Sequence, residues 1–308
     1  MEWPCIVIAG PTATGKTALA VDVAHALGSE IFSMDSRQVY RGLDLGTGKD
    51  LEEYQRVTPA IPYHLIDIVE PSEVYSLFRF QADCYAALEE FRKKKGNNTP
   101  PILVGGTGLY LEAILKRYDI AQVPENPALR AELSERNLED LTLELGVRSP
   151  ELRDRTDLSN KRRVVRALEI ALSQPTGEIP RSRLPEWTLK PVVFVTQWDR
   201  AALHTRIAER LQARLAAGMV EEVQHLRDKG LSWDRLNDLG MEYRQIAALL
   251  RGEKTRDAME TDLLHEIRQL AKRQETWFRG MERRGIQVHF INPQTTTDDI
   301  LAQARDYL

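Results

Sequence analysis

The chain has 308 residues, enough for one large or two ordinary domains with a real apolar core. Its two cysteines, Cys5 and Cys84, can build neither a disulfide framework nor a four-ligand zinc site, so a cytoplasmic, zinc-free protein is expected. A formal net charge of −4 excludes coating nucleic acid by bulk charge and leaves room for a local basic surface. No apolar run approaches membrane-spanning length. The N-terminus enters a strand-like segment without a basic region or cleavage site, so no export signal is expected.

In chain order, residues 5–9 read as a short buried strand, followed by GPTATGKT at 10–17. Lys16–Leu27 has the apolar spacing of a helix, and Gly28 stands where a helix C-cap glycine belongs. Residues 30–34 form the next strand, with Asp35 at its carboxyl end. A short strand is possible at 63–68, a helix is expected at 78–94, and a third strand at 102–104 leads into GGTGLY. This alternation predicts a mostly parallel sheet with helices on both faces. From about Lys116 the alternation stops, and Pro124, Pro127, Pro150 and Pro175 punctuate a helical stretch containing DLSNKRRVVRALEIAL. Residues 191–197 are strand-like and return the chain to the sheet. Amphipathic helices follow at 199–229, 241–251 and 256–284, then an edge strand at 287–291. The expected fold is α/β: a P-loop NTPase-like parallel sheet core (1–115), a helical insertion domain (116–188), and a return to the core with C-terminal helices (189–308).

GPTATGKT fits G-x-x-x-x-G-K-[ST] after a strand and before a helix, the context that makes the pattern a phosphate-binding loop. Gly10 and Gly15 permit the tight turn. The backbone amides of the turn that runs from Gly10 and Pro11 through Thr12, Ala13 and Thr14, with the helix dipole, form an anion nest, Pro11 itself having no N–H to give. Lys16 neutralises phosphate charge, and the Thr17 hydroxyl is placed to ligate Mg²⁺. An ATPase also wants an acid at the end of a neighbouring strand, but ILVGG ends in Gly105-Gly106-Thr107. The available acid is Asp35, beginning DSRQVYRGLDLGTGK, and it could act as a general base toward an acceptor. Two polar loops at the carboxyl edge of the sheet suit group transfer from a diphosphate better than hydrolysis of a triphosphate.

The motifs GPTATGKT, DSRQVYRGLDLGTGK, HLID, ILVGGTGLY, RVVRALEI and LAKRQETWFR, in this order from residue 5 to about 280, resemble the tRNA dimethylallyltransferase (tRNA isopentenyltransferase) family. The resemblance implies transfer of a dimethylallyl group from dimethylallyl diphosphate to N6 of the adenosine 3′-adjacent to the anticodon. It implies Asp35 as the base, Thr17 as magnesium and diphosphate ligand, and Lys16 as the charge that stabilises the leaving diphosphate. Ser36, Arg37 and Gln38 match the segment touching the flipped adenosine, and Thr107 and Arg130 match tRNA contacts. Arg206 and Arg210 match arginines with a diphosphate or backbone role. LGMEYRQI, residues 239–246, departs from the family's glycine-tyrosine-basic pattern; Tyr243 and Arg244 are carried as tRNA contacts there. A tRNA substrate, Mg²⁺ and a monomer are expected.

On the helix around KRRVVRALEI, Val164, Leu168 and Leu172 form an apolar stripe, while Arg162 and Arg166 share another face with Arg163 nearby. That basic face is either solvated charge, with Arg166 paired to Glu169, or a phosphate-binding surface for the anticodon stem; the family layout favours the second. His64 in HLID, Trp277 and Phe278 are expected to pack. The alternatives are an adenylate isopentenyltransferase acting on free nucleotides, a small-molecule kinase, and a non-catalytic RNA-binding module.

Overall fold

The computed structural model describes residues 2–123, 125–173, 183–305 and 307; Pro124 and Pro175 lie outside these residues. The chain divides into two compact units, Met1–Arg117 with Pro185–Leu308, and Tyr118–Leu184, where the sequence reading set limits of 116 and 188.

In the first unit, β1 (Glu2–Ala9) leads through the phosphate loop into α1 (Lys16–Leu27), which ends on Gly28 in the left-handed region. β2 (Ile31–Ser33), α2 (Glu52–Gln55) and β3 (Tyr63–His64) follow, then α3 (Leu77–Lys95), β4 (Ile102–Gly105) and α4 (Gly108–Leu115). All six strands of the sheet are parallel, in the order β3-β2-β4-β1 and onward to the two strands of the C-terminal segment. β1 is central: Ile6 lies opposite Ile102 on one side and Val192 on the other. Parallel strands covered on both faces must be apolar throughout, which is why these segments read as short continuous runs. Ile6, Ile8, Ile102, Val104 and Phe194 pack with Ala20, Val23 and Ala24 of α1 on one face. On the other, Trp3 stacks with Phe91 of α3 at 5.9 Å, and Gln81 of α3 donates to the Ala113 carbonyl of α4 at 3.0 Å.

The second unit holds α5 (Pro127–Glu135), α6 (Leu138–Arg148), α7 (Pro150–Arg155) and α8 (Lys161–Leu172). Asn126, Asn137, Ser149 and Asn160 each cap a helix by accepting the backbone N–H three residues on. Pro127 and Pro150 start helices at the first turn, where a missing N–H costs nothing. Leu133, Leu141, Leu145, Val164 and Leu168 make the core.

The chain then returns as β5 (Thr188–Thr196), with α9 (Arg200–Ala216), α10 (Met219–Asp228), α11 (Trp233–Asp238), α12 (Met241–Leu250), α13 (Arg256–Arg279), edge strand β6 (His289–Ile291) and α14 (Thr297–Ala304). The single helix expected at 199–229 is two, because Gly218 takes φ 102° between α9 and α10. The long helix stops at Arg279 rather than 284, and a 3₁₀ turn at Glu282–Arg284 follows. The short helix α11 carries no periodic pattern long enough to read. No helix among the described residues is long and apolar enough to cross a membrane.

The second unit pairs most of the basic residues that the sequence singles out there. Glu169 is 1% exposed; it accepts Arg130 Nη2 at 2.8 Å and the Asn126 amide, and pairs with Arg166. Arg166 also donates to the Val123 carbonyl at 2.8 Å. Burial would raise the Glu169 carboxyl, but the two guanidiniums hold it below its usual range. Arg130 therefore ties α5 to α8 through Glu169, and Arg166 braces the same carboxylate and the Val123 carbonyl; both are ion-paired rather than free cations. Arg163 pairs with Asp157 at 3.1 Å, and Arg162 is exposed. Glu169→Gln should destabilise this unit by about 2–4 kcal/mol, because it strands two arginines around a neutral amide. Hydrogen exchange at α5 and α8 amides measures it, and unchanged protection would contradict the assignment.

Candidate active site

The carboxyl ends of β1, β2 and β4 open on a cleft of about 1010 Å³ in the first unit. Open parallel sheets bind ligands at this edge. Residues 12–17 of the phosphate loop form its floor. Gly10, at φ 143°, has no room for a side chain: a Cβ would stand 2.1 Å from the Thr196 hydroxyl. Thr14 is buried, donates to the Pro11 carbonyl at 2.9 Å and accepts from Thr196 at 2.7 Å. Helices from far along the chain clamp the loop. Arg206 of α9 donates to the Ala13 carbonyl at 2.9 Å while stacking over Trp198 at 4.4 Å. Gln274 of α13 accepts the Thr12 amide at 2.9 Å and donates to the Gly106 carbonyl at 3.0 Å.

The facing wall is the segment after β2. One Asp35 oxygen accepts the Arg37 amide at 2.8 Å, a local turn that fixes the carboxyl at the mouth of the cleft. The Ser36 amide donates to Thr107 Oγ1 at 3.3 Å, joining the β2 and β4 loops. Gln38 accepts from Ser33 at 2.8 Å and donates to the Gly48 carbonyl at 3.1 Å. At the end of β4 the absent acid has a steric explanation. A Cβ on Gly105 would stand 2.2 Å from the Met34 carbonyl oxygen, and one on Gly106 would stand 2.4 Å from Gln274 Nε2. Backbone of Met34 and the side chain of Gln274 thus crowd the end of β4, where the chain carries no acid.

The third wall is α9 with the loop at 44–50. Arg210 reaches Thr12 Oγ1 at 3.2 Å and Asp50 at 2.9 Å, and Arg214 reaches Asp50 at 3.4 Å. This crowding appears in the titration of the groups. Burial, and then Arg210, lower Lys16 to about 7 against the pull of Asp35 and Asp50. Burial, and then Arg214, lower Arg210 to about 10. Burial raises the Glu242 carboxyl, and Asp35 adds to the rise against Arg214 and Arg37. The cleft gathers cations that burial holds apart from full solvation.

Of the residues singled out in the sequence, Thr12, Ala13, Thr14, Gly15, Lys16, Thr17, Asp35, Ser36, Arg37, Gln38, Thr107, Arg206, Arg210, Tyr243 and Arg244 line this one cleft. Gly10 and Pro11 support it from behind. Arg130, Arg162, Arg163 and Arg166 belong to the second unit. Tyr243 is 1% exposed: its hydroxyl donates to Glu222 at 2.8 Å and its ring lies against Gly46, so it supports the cleft wall chiefly by packing. Arg244 pairs with Glu266 at 2.7 Å at the rim. His64 packs as expected, stacked on Phe32 at 4.5 Å and bonded to Glu30 at 2.7 Å. Asp50, Arg214, Glu242 and Gln274 also line the cleft and escaped the sequence reading. Gln274 was legible only as a polar break in an otherwise apolar helix stripe.

The IPP transferase family model matches residues 38–281, and an Isopentenyl transferase model matches residues 4–61. The tRNA dimethylallyltransferase 2 of Syntrophotalea carbinolica is 47% identical over 287 residues, 93% of each chain. The tRNA dimethylallyltransferase 1 of Geotalea uraniireducens is 44% identical over 308 residues, 100% of this chain and 98% of its own. Among solved structures, the full-length tRNA isopentenylpyrophosphate transferase of Bacillus halodurans aligns with a TM-score of 0.68 at 30% identity, over 100% of this chain and 95% of that one. A eukaryotic dimethylallyltransferase acting on tRNA shares the fold at a TM-score of 0.78 and 21% identity, over 99% of this chain and 79% of its own. The chain belongs to the IPP transferase family, alongside its tRNA dimethylallyltransferases.

Proposed function

We propose that the chain prenylates tRNA, moving a dimethylallyl group from dimethylallyl diphosphate to N6 of the adenosine 3′-adjacent to the anticodon. The observation that carries this reading is a phosphate loop ringed by Lys16, Arg206 and Arg210, faced by Asp35, with no acid at the end of β4. A triphosphatase needs that acid; a diphosphate-releasing transferase needs a base opposite the loop. The bond from the prenyl C1 to the bridging oxygen breaks, and the electron pair leaves with the diphosphate. The loop amides, Lys16 and Arg210 stabilise that developing charge. N6 of the adenine forms the new bond to C1, and its proton passes to the Asp35 carboxylate. An exocyclic adenine amine is a poor nucleophile because its lone pair is delocalised into the ring, so removing its proton matters.

The donor set also suits Mg²⁺. Thr17 offers a hydroxyl beside the loop, and no cluster of three acidic, His or Cys side chains exists among the described residues to make an all-protein cage. Mg²⁺ is usually held this way, by few protein oxygens and the substrate's phosphates. When bound it would neutralise diphosphate charge. The exposed Arg162 and Arg163 of α8 are proposed to meet the tRNA backbone, and the working form is proposed to be a cytoplasmic monomer.

The second reading, an adenylate isopentenyltransferase, is favoured only by the Isopentenyl transferase match at 4–61. Incubation with labelled dimethylallyl diphosphate, offering unmodified tRNA against AMP, separates the two. Label on tRNA alone is expected; label on AMP would reverse the choice.

Asp35→Asn should leave tRNA and diphosphate affinity nearly intact while single-turnover prenyl transfer falls by about two to four orders of magnitude. A mutant retaining more than about a tenth of the rate would remove Asp35 as the base. Lys16 generates a pH dependence of its own. Its lysine is about 7 in the free cleft, and an anion favours the ammonium form, so binding raises that value and takes up a proton. Diphosphate affinity should be full below about 7 and weaken by up to about tenfold per pH unit above it. Calorimetry at alkaline pH in two buffers of different ionisation enthalpy reads the uptake directly. Lys16→Met should abolish it, and equal apparent enthalpies for the unsubstituted protein would refute the assignment.

A further inference from the structure

We infer that Glu222 is a positioning residue for the diphosphate site, acting through the loop at 44–50 on Arg210 and Arg214. The inference rests on the reading of the cleft as a diphosphate site. Glu222 itself, on α10, does not line the cleft. Its carboxylate accepts three successive amides of the loop: Asp44 at 2.9 Å, Leu45 at 2.7 Å and Gly46 at 3.1 Å. The Tyr243 hydroxyl, at 2.8 Å, is a fourth donor. Consecutive amides turned onto one point form an anion nest, and here the anion is the protein's own. Such charge-assisted bonds are the strong ones.

Two residues further on, the same loop abuts the arginines. A Cβ on Gly48 would stand 1.5 Å from Arg214 Nη2 and 2.4 Å from Arg210 Nη2, so backbone and guanidiniums are in direct contact. Gly46 is as tight on the other side, with Tyr243 Oη 2.5 Å from its would-be Cβ. Asp50 then takes Arg210 and Arg214, and the Gly48 carbonyl takes Gln38. Inside the loop, Lys49 is 1% exposed and pairs with Asp44 at 2.6 Å and with Asp67.

The loop thus has an inner anchor, Lys49, and an outer one, Glu222. The outer anchor comes from the same α9–α10 hairpin that carries the arginines, joined through Gly218. Glu222 closes a ring: hairpin to loop by the nest, loop back to hairpin by Gly48 and Asp50. A loop this short cannot shift at 44–46 without moving 48–50, and the guanidiniums follow.

Inorganic diphosphate is the probe, titrated by calorimetry into the full chain and its variants. Glu222→Gln should weaken diphosphate binding and raise KM for dimethylallyl diphosphate by about 10- to 100-fold, the usual cost of removing the partner that orients a ligating group. Its tRNA affinity should be unchanged. Tyr243→Phe removes one of the four bonds and keeps the packing, so it should show a smaller loss of the same kind even if Glu222→Gln fails to fold. Combined with Arg210→Ala, the Glu222→Gln loss should fall well short of additive, because one acts through the other. Fully additive losses, or Tyr243→Phe and Glu222→Gln proteins with unaltered diphosphate affinity, would overturn the inference alone. If the unsubstituted protein binds no diphosphate, the reading of the cleft falls and the inference with it.

Discussion

Four cationic side chains, Lys16, Arg206, Arg210 and Arg214, converge on one phosphate loop from two distant segments of the chain. Their mutual repulsion must be resisted by the fold until an anion arrives. The lowered values of Lys16 and Arg210 measure that constraint, since burial strips water from the charges and neighbouring guanidiniums oppose them. What resists it is polar and local: the Ala13 carbonyl and the Trp198 ring under Arg206, Asp50 between Arg210 and Arg214, the Pro11 carbonyl on Lys16. A diphosphate entering such a site meets donors already aimed, so little reorganisation remains for the moment of bond breaking.

Carboxylates serve as internal anions that gather backbone amides or basic side chains, and the same device recurs in both units. Glu222 gathers three amides and a phenol around one loop. Glu169 joins α8 to α5 through Arg130 in the second unit, with Arg166 of its own helix beside it. Glu112, 1% exposed on α4, takes Arg284, whose guanidinium also lies over Trp277 at 5.0 Å. A buried acid left unpaired would be costly, and the buried Glu169 and Glu112 are each paired with arginine. Basic residues in this chain therefore brace the fold as well as lining the cleft, Arg130 and Arg166 among them.

Glycine marks the closest approaches. Gly10, Gly46, Gly48, Gly105 and Gly106 each sit where a Cβ would lie under 3 Å from a neighbour, and all five border the cleft or its supports. These positions let backbone carbonyls and amides reach the site where side chains would block it. The same crowding accounts for the chemistry the site lacks, because an acid at the end of β4 has no volume to occupy.

Local signals were sufficient for much of this protein. The motif of the phosphate loop, Asp35 at a strand end, the apolar runs of β1, β2 and β4, and the cap glycine after α1 all depend on neighbours within a few residues. Their roles as elements follow from backbone sterics and periodicity that the sequence carries openly. Only the tertiary structure decided that Gln274, some 260 positions away, would clamp Thr12, that Glu222 would seat the loop at 44–50, and that Tyr243 would be buried behind it. It also decided that Arg130 of α5 would meet Glu169 of α8. Charge and spacing state what a side chain can bind. Which partner it meets depends on long-range packing, and a polar residue on a helix face shows no trace of that packing until the helix is docked.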